Sequence, residues 1–211
     1  RAIASIENLR PRFIEMTRIS PMTFRSTDVG VVLDMMIHDL DLLTMLLGNE
    51  PSEIYADAVS VISEAEDMCN ARLVFPVGSD GFSCTANVTA SRLALKTERK
   101  LRIISEEAYV SADFVKRSVT IIHKTANDAK LSDLRKRLAD GEDLTSVDFV
   151  EVLTVDEPEI GNEDALTMQA KDFLHSIRSG TKPEIDAEAG SMAIRTAERI
   201  MQQAGTIAAL H

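Results

Sequence analysis

The sequence predicts an α+β domain: a mainly antiparallel, open-faced sheet with helices packed on one face. Residues 82–91 alternate Phe82, Cys84, Ala86, Val88 and Ala90 with Ser83, Thr85, Asn87, Thr89 and Ser91, as expected of a sheet covered by helices on one side only. Several short strand-like runs then follow one another with no helix between them, which favours antiparallel neighbours. The chain also closes with two segments of helical apolar spacing. With 211 residues and 45% hydrophobic content, residues 1–211 suit one domain with a packed core.

In chain order, residues 3–8 read as the end of a helix. Residues 11–20 read as a strand leading into a loop marked by Pro21 and Ser26. Residues 30–47 form an apolar helix that Gly48 closes. Period-two runs at 54–62, 71–75, 82–91, 101–105, 109–114 and 119–124 are strands, and Gly78 to Gly81 form a turn. Residues 126–140 are polar and charged, an inserted helix or loop within 124–145, followed by a strand at 147–155. Leu166, Ala170, Phe173, Leu174 and Ile177 sit at helical spacing. So do Ala189, Ala193, Ala197, Ile200, Ala204 and Ile207, in a last helix that Asp186 can cap.

A net charge of −11 repels polyanions, so neither nucleic acid nor an anionic membrane is an expected partner. Cys69 and Cys84, with nine methionines and no Cys-x-x-Cys, point to reduced thiols and a cytoplasmic location. No secretory signal or membrane span is expected. The first residue is Arg1 rather than Met, which points to a fragment or a processed chain.

The apolar helix carries an unexpected polar stripe. Asp34, His38 and Asp41, at i, i+4 and i+7, fall within about 60° of one another on a helical wheel, while Asp39 projects elsewhere. Unpaired carboxylates are costly to bury, so such a stripe faces a cleft or is internally hydrogen-bonded. A carboxylate one turn from a histidine can orient the imidazole for proton transfer. A satisfied core histidine with surface aspartates is the plainer alternative. A metal site formed by Asp34, His38 and Asp41 is another, although no cysteine or second histidine adds ligands.

The run "DVGVVLDMMIHDLDLLTMLLG", residues 28–48, resembles the signature of the C-terminal domain of the Gfo/Idh/MocA oxidoreductases, matching at Asp34, His38, Asp41 and Gly48. The segment "SGTKPEIDAEAGSMAIRTAERIM", residues 179–201, is similar to the family's closing segment. Met36 stands where the family commonly has a Gly two residues before the His. The resemblance implies a dihydrodipicolinate-reductase-like C-terminal sheet domain that follows an NAD(P)-binding Rossmann domain, with a sugar held between the two. It further implies His38 as the acid/base, Asp34 as its partner, and a homodimer or homotetramer formed through the sheet face. The nine glycines include no Gly-x-Gly, so no dinucleotide fingerprint is present. NAD or NADP is thus expected on the full-length protein through a Rossmann domain that this chain lacks. No cofactor is expected on residues 1–211, and no hydride transfer by them alone.

The stretch "SRLALKTERKLRI", residues 91–103, is basic in an otherwise acidic chain, a counter-charge for a phosphate or sugar acid or else a solvated strand pair. Together with "EMTRISPMTFRS", "ANVTASR" and "AYVSADF" it is similar to a branch of the family acting on nucleotide sugars. Under that resemblance Arg18, Arg25, Asp41, Arg92 and Tyr109 are candidate substrate contacts. A non-catalytic sugar-binding or assembly module is the competing expectation.

Overall fold

The computed structural model describes residues 6, 9–24, 28–78, 81–124, 128–143, 152–161, 164–183 and 185–208. Eight strands form one sheet: β1 (Phe13–Ile19), β2 (Glu53–Val59), β3 (Met68–Val74), β4 (Thr85–Ser91), β5 (Glu98–Ile104), β6 (Ala108–Asp113), β7 (Ser118–Lys124) and β8 (Leu153–Asp156). Their spatial order is β2-β3-β4-β1-β5-β6-β7-β8. Every neighbouring pair is antiparallel except β1 and β4, which run parallel. The first strand is therefore inserted between β4 and β5, and residues 92–97 cross its C-terminal end.

The period-two pattern of the sequence becomes rows across the sheet. Ala56, Ala71, Val88, Met16, Leu101 and Ala112 lie side by side, as do Ile54, Leu73, Ala86, Ile14, Ile103, Val110 and Ile121. Both rows are buried. α1 (Ile37–Leu47) and α4 (Ala187–Ala208) belong to this side, burying Leu40, Leu43, Ala193, Ala197 and Ile200 in the same core. Burial of each Leu or Ile side chain among them stabilises by about 1.5–3 kcal/mol. Arg195 Nε donates to Glu50 (2.7 Å) and Arg199 Nη1 to the Pro51 carbonyl (2.8 Å), which ties α4 to the segment after α1.

Among the described residues no helix packs over the other face. One row reads Asp57, Asn70, Thr89, Thr17, Lys100, Asp113 and Ser118, and the next Tyr55, Arg72, Asn87, Glu15, Arg102, Ser111 and Thr120. Asn70 donates to Thr89 (2.8 Å) and Arg102 pairs with Glu15 (2.9 Å).

Two further helices, α2 (Asp128–Ala139) and α3 (Ala165–Ser179), complete the described chain. α2 realises the expected helix within 124–145. The strand predicted at 147–155 is seen only as β8, because residues 144–151 lie outside the described residues, as does most of 3–8. In α3 the apolar stripe stays uncovered among the described residues, with Leu166, Phe173, Leu174 and Ile177 exposed. Asp186 caps α4, its Oδ1 accepting from the N–H groups of Glu188 and Ala189 (3.0 Å each). No described helix is long and apolar enough to cross a membrane.

Candidate functional site: a charged cavity at the end of the first strand

On the helix side of the sheet a third row reads Ala58, Cys69, Ala90, Arg18 and Arg99. It is apolar until it reaches the end of β1, where the two arginines stand directly opposite each other across β1 and β5. Above them the chain enters α1 through a single π turn, Val32–Met36, in which the Ile37 N–H reaches back five residues to the Val32 carbonyl. Such turns widen a helix by one residue and recur at functional sites. Its start is held from the β2–β3 connection: Val31 N donates to the Glu66 carbonyl (3.0 Å) and Val32 N to the Glu66 carboxylate (3.2 Å). A Cβ on Gly30 would lie 2.0 Å from that carboxylate, so any larger residue there would push the Glu66 side chain aside. At the other end Gly48 has φ +66° and closes α1 in the left-handed region, as its place after Leu47 foretold.

A cavity of about 450 Å³ opens here, lined by Arg18, residues 20–23, Asp34, Met35, His38, Arg92 and Arg99. Asp34 and His38 are both exposed at its wall. Among the described residues no hydrogen bond joins them; the π turn intervenes where an unbroken α-helix was expected. The four ionisable residues of the apolar helix thus divide. Asp34 and His38 face the cavity. Asp39 is buried and holds Arg18 in a two-point ion pair, Nε to Oδ2 at 2.9 Å and Nη2 to Oδ1 at 2.7 Å. Asp41 is half-buried and not part of the lining; burial pushes its carboxyl upward while the His38 charge opposes that shift.

Of the expected substrate contacts, Arg18 lines the cavity with its fork engaged by Asp39. Arg92 also reaches the wall but is a buried anchor: it pairs with Asp67 at 2.9 Å and donates to the carbonyls of Val29 (2.9 Å) and Glu66 (3.1 Å). It therefore pins the entry to α1 from the same position in which it reaches the cavity wall. Tyr109 is not brought to this cavity. Its register opposite Ile104 and Ile122 puts it on the uncovered face of the sheet, in the row of Val74, Phe13, Ile104 and Ile122, away from His38. Arg25 lies outside the described residues.

Glu66 and Asp67, and the role of Asp39, escaped the sequence analysis, because each acts through a partner far away in the chain. Arg99 was noted only as one of a basic run. Its phase with Leu101 and Ile103 was the available signal that it points to the helix side.

A metal bound by Asp34, His38 and Asp41 would need the three to converge, and among the described residues no three His, Cys, Asp or Glu side chains do. A dinucleotide does not fit the described residues either. The one parallel strand pair among the described residues, β1 and β4, is linked through α1 and two further strands of the same sheet rather than by a simple crossover helix, and the Glu66 carboxylate occupies the glycine-led helix start where a pyrophosphate would sit. What the cavity can do by itself is hold a polar molecule against an exposed imidazole and carboxylate, with cationic groups opposite.

Residues 7–111, about half of the chain, match the family described as GFO/IDH/MocA C-terminal domain. UDP-N-acetylglucosamine 3-dehydrogenase of Acidithiobacillus ferrooxidans is 29% identical over 191 residues, 90% of this chain and 53% of that protein. Its solved structure superposes with a TM-score of 0.77 at 27% identity, covering 96% of this chain and 57% of the other. Myo-inositol 2-dehydrogenase of Thermotoga maritima is 22% identical over 178 residues, 82% of this chain and 46% of that protein. A levoglucosan dehydrogenase in complex with NADH and levoglucosan shares the fold, with a TM-score of 0.65 at 14% identity over 93% of this chain and 57% of the other. The chain spans about half the length of the curated relatives it matches.

Proposed function

We propose, for a chain that belongs to the GFO/IDH/MocA C-terminal domain family, that it is the substrate-binding and acid/base half of an NAD(P)-dependent sugar or nucleotide-sugar dehydrogenase. The observation that carries this is the cavity itself, where His38 and Asp34 are both exposed at a wall built from the π turn, α1 and the end of β1. In this reading His38 takes the proton from a sugar hydroxyl when the carbinol is oxidised and returns it in the reverse direction. Asp34 lies close enough in sequence to face the cationic ring once the proton is taken. The nicotinamide cofactor is held by a Rossmann domain outside residues 1–211.

In the full-length protein His38→Ala should lower kcat by about 10²–10⁴-fold, the usual weight of general acid/base catalysis, with folding and NAD(P) binding retained. An unchanged kcat refutes the role. Residues 1–211 alone should give no NAD(P)-dependent turnover in a spectrophotometric assay at 340 nm, roughly the reduced-nicotinamide band. We propose further that the uncovered sheet face carries self-association, and that buried, reduced Cys69 and Cys84 suit a cytoplasmic location.

A further inference from the structure

We infer that Arg99 is the anion-recognising residue of the cavity, binding a phosphate or carboxylate carried by the substrate; this rests on the sugar-dehydrogenase reading and names its substrate class. The basic run from Arg92 to Arg102 holds five cations. Arg92 pairs with Asp67 (2.9 Å), Lys96 and Lys100 with Glu98 (2.8 and 3.0 Å), and Arg102 with Glu15 (2.9 Å). Among the described residues Arg99 has no carboxylate partner, in a chain whose net charge is −11.

Its surroundings make that exceptional. Arg99 sits opposite Arg18 in the β1–β5 register, a like-charge pairing that sheets avoid. The Arg18 charge is met by Asp39 and that of Arg92 by Asp67, so among the described residues Arg99 is the arginine of the cavity wall without an ion-pair partner, while the Asp34 carboxylate lines the same cavity from the helix side. The strand holds the residue in place, with the Arg99 carbonyl accepting from Phe114 N at 2.8 Å. A guanidinium presents a planar fork that matches an anionic oxygen pair at two points. Arg99 on β5 and His38 on α1 line the same cavity from different elements, so a sugar lying against His38 can present its charged substituent to Arg99.

The test is calorimetric titration of the full-length protein with UDP-N-acetylglucosamine (a diphosphate), glucuronate (a carboxylate) and N-acetylglucosamine (neutral). The wild type should prefer one of the charged ligands. Arg99→Gln should weaken that ligand by roughly 10–100-fold, the range of a hydrogen bond to a charged group, and leave the neutral sugar within about twofold. Arg99→Lys should recover part of the loss, and which charged ligand responds identifies the substituent. Equal weakening of the neutral sugar, unchanged affinities in Arg99→Gln, or no preference in the wild type overturns the inference. Should Arg99→Gln fail to fold, added salt must weaken the wild-type affinity for the charged ligand and spare the neutral one; no salt effect overturns it. His38→Ala should lower kcat while leaving the preference for the charged ligand over the neutral sugar as in the wild type, so failure of the acid/base role and failure of anion recognition are read separately.

Discussion

Asp67 is fully buried and still carries a charge. Burial pushes its carboxyl up, but the N–H groups of Ile62, Ser63 and Val61, at 2.6 to 3.0 Å, outweigh that and hold it well below the usual carboxylate range. Because the folded value lies below the unfolded one, the stability that Asp67 contributes is complete above about pH 4 and is lost as the pH falls below that. Asp67→Asn also strands the buried Arg92. It should cost about 3–5 kcal/mol at pH 7, and its remaining stability should fall less steeply below about pH 4 than the wild type's. Urea midpoints across that range check both expectations. The thiols behave in the opposite sense. Burial first, then the charges of Glu66 and Asp57, push Cys69 up to about 12, and burial against a weaker pull from Arg12 pushes Cys84 up to about 11. Neither should react with a thiol reagent at pH 8 until urea unfolds the chain, when both should titrate; rapid native labelling would contradict their burial.

The entry to α1 shows where elements are written locally and where they are not. Its C-terminus was legible because Gly48 is the residue that a left-handed closure favours, and the sheet because Ala86, Val88 and Ala90 alternate with Asn87, Thr89 and Ser91. The π turn was not. It depends on Glu66 reaching across from the β2–β3 connection and on Arg92 gripping the Val29 carbonyl, contacts between residues far apart in the chain that no periodicity reveals. Tyr109 had a readable phase, since Ala108, Val110 and Ala112 are the buried set, and its resemblance-based role ran against that phase. Likewise, helical spacing in α3 showed an amphipathic helix without saying that its apolar stripe is uncovered. The same contacts yield a prediction. Gly30→Ala must displace the Glu66 carboxylate from Val32 N, removing the cap of this helix start. It should lower stability by about 1 kcal/mol, seen as a reduced thermal midpoint. In the full-length protein kcat should fall as well, because Asp34 lies within the turn that is released.

At the scale of the whole molecule the two faces of the sheet carry very different charge. The two central rows of the uncovered face hold three acidic residues, Glu15, Asp57 and Asp113, and three basic ones, Arg72, Lys100 and Arg102. These two rows are therefore balanced in charge in a chain of net charge −11, so two copies meeting across them escape much of the repulsion that the molecule exerts elsewhere. The bordering row reads Glu53, Val74, Thr85, Phe13, Ile104, Tyr109 and Ile122, and its apolar members offer area to such a contact, with Ile104 44% exposed. Thr17 and Thr89 sit side by side at the centre of the face on β1 and β4. Converting both to Glu adds two negative charges per copy, hence four across a twofold contact, at positions whose side chains leave the core untouched. On light scattering after size exclusion at micromolar concentration, the wild type should run as a dimer or tetramer. Thr17→Glu/Thr89→Glu should run as a monomer with its thermal midpoint no higher than the wild type's. A monomeric wild type, or a double variant that keeps the wild-type mass, would show that the uncovered face serves something other than self-association.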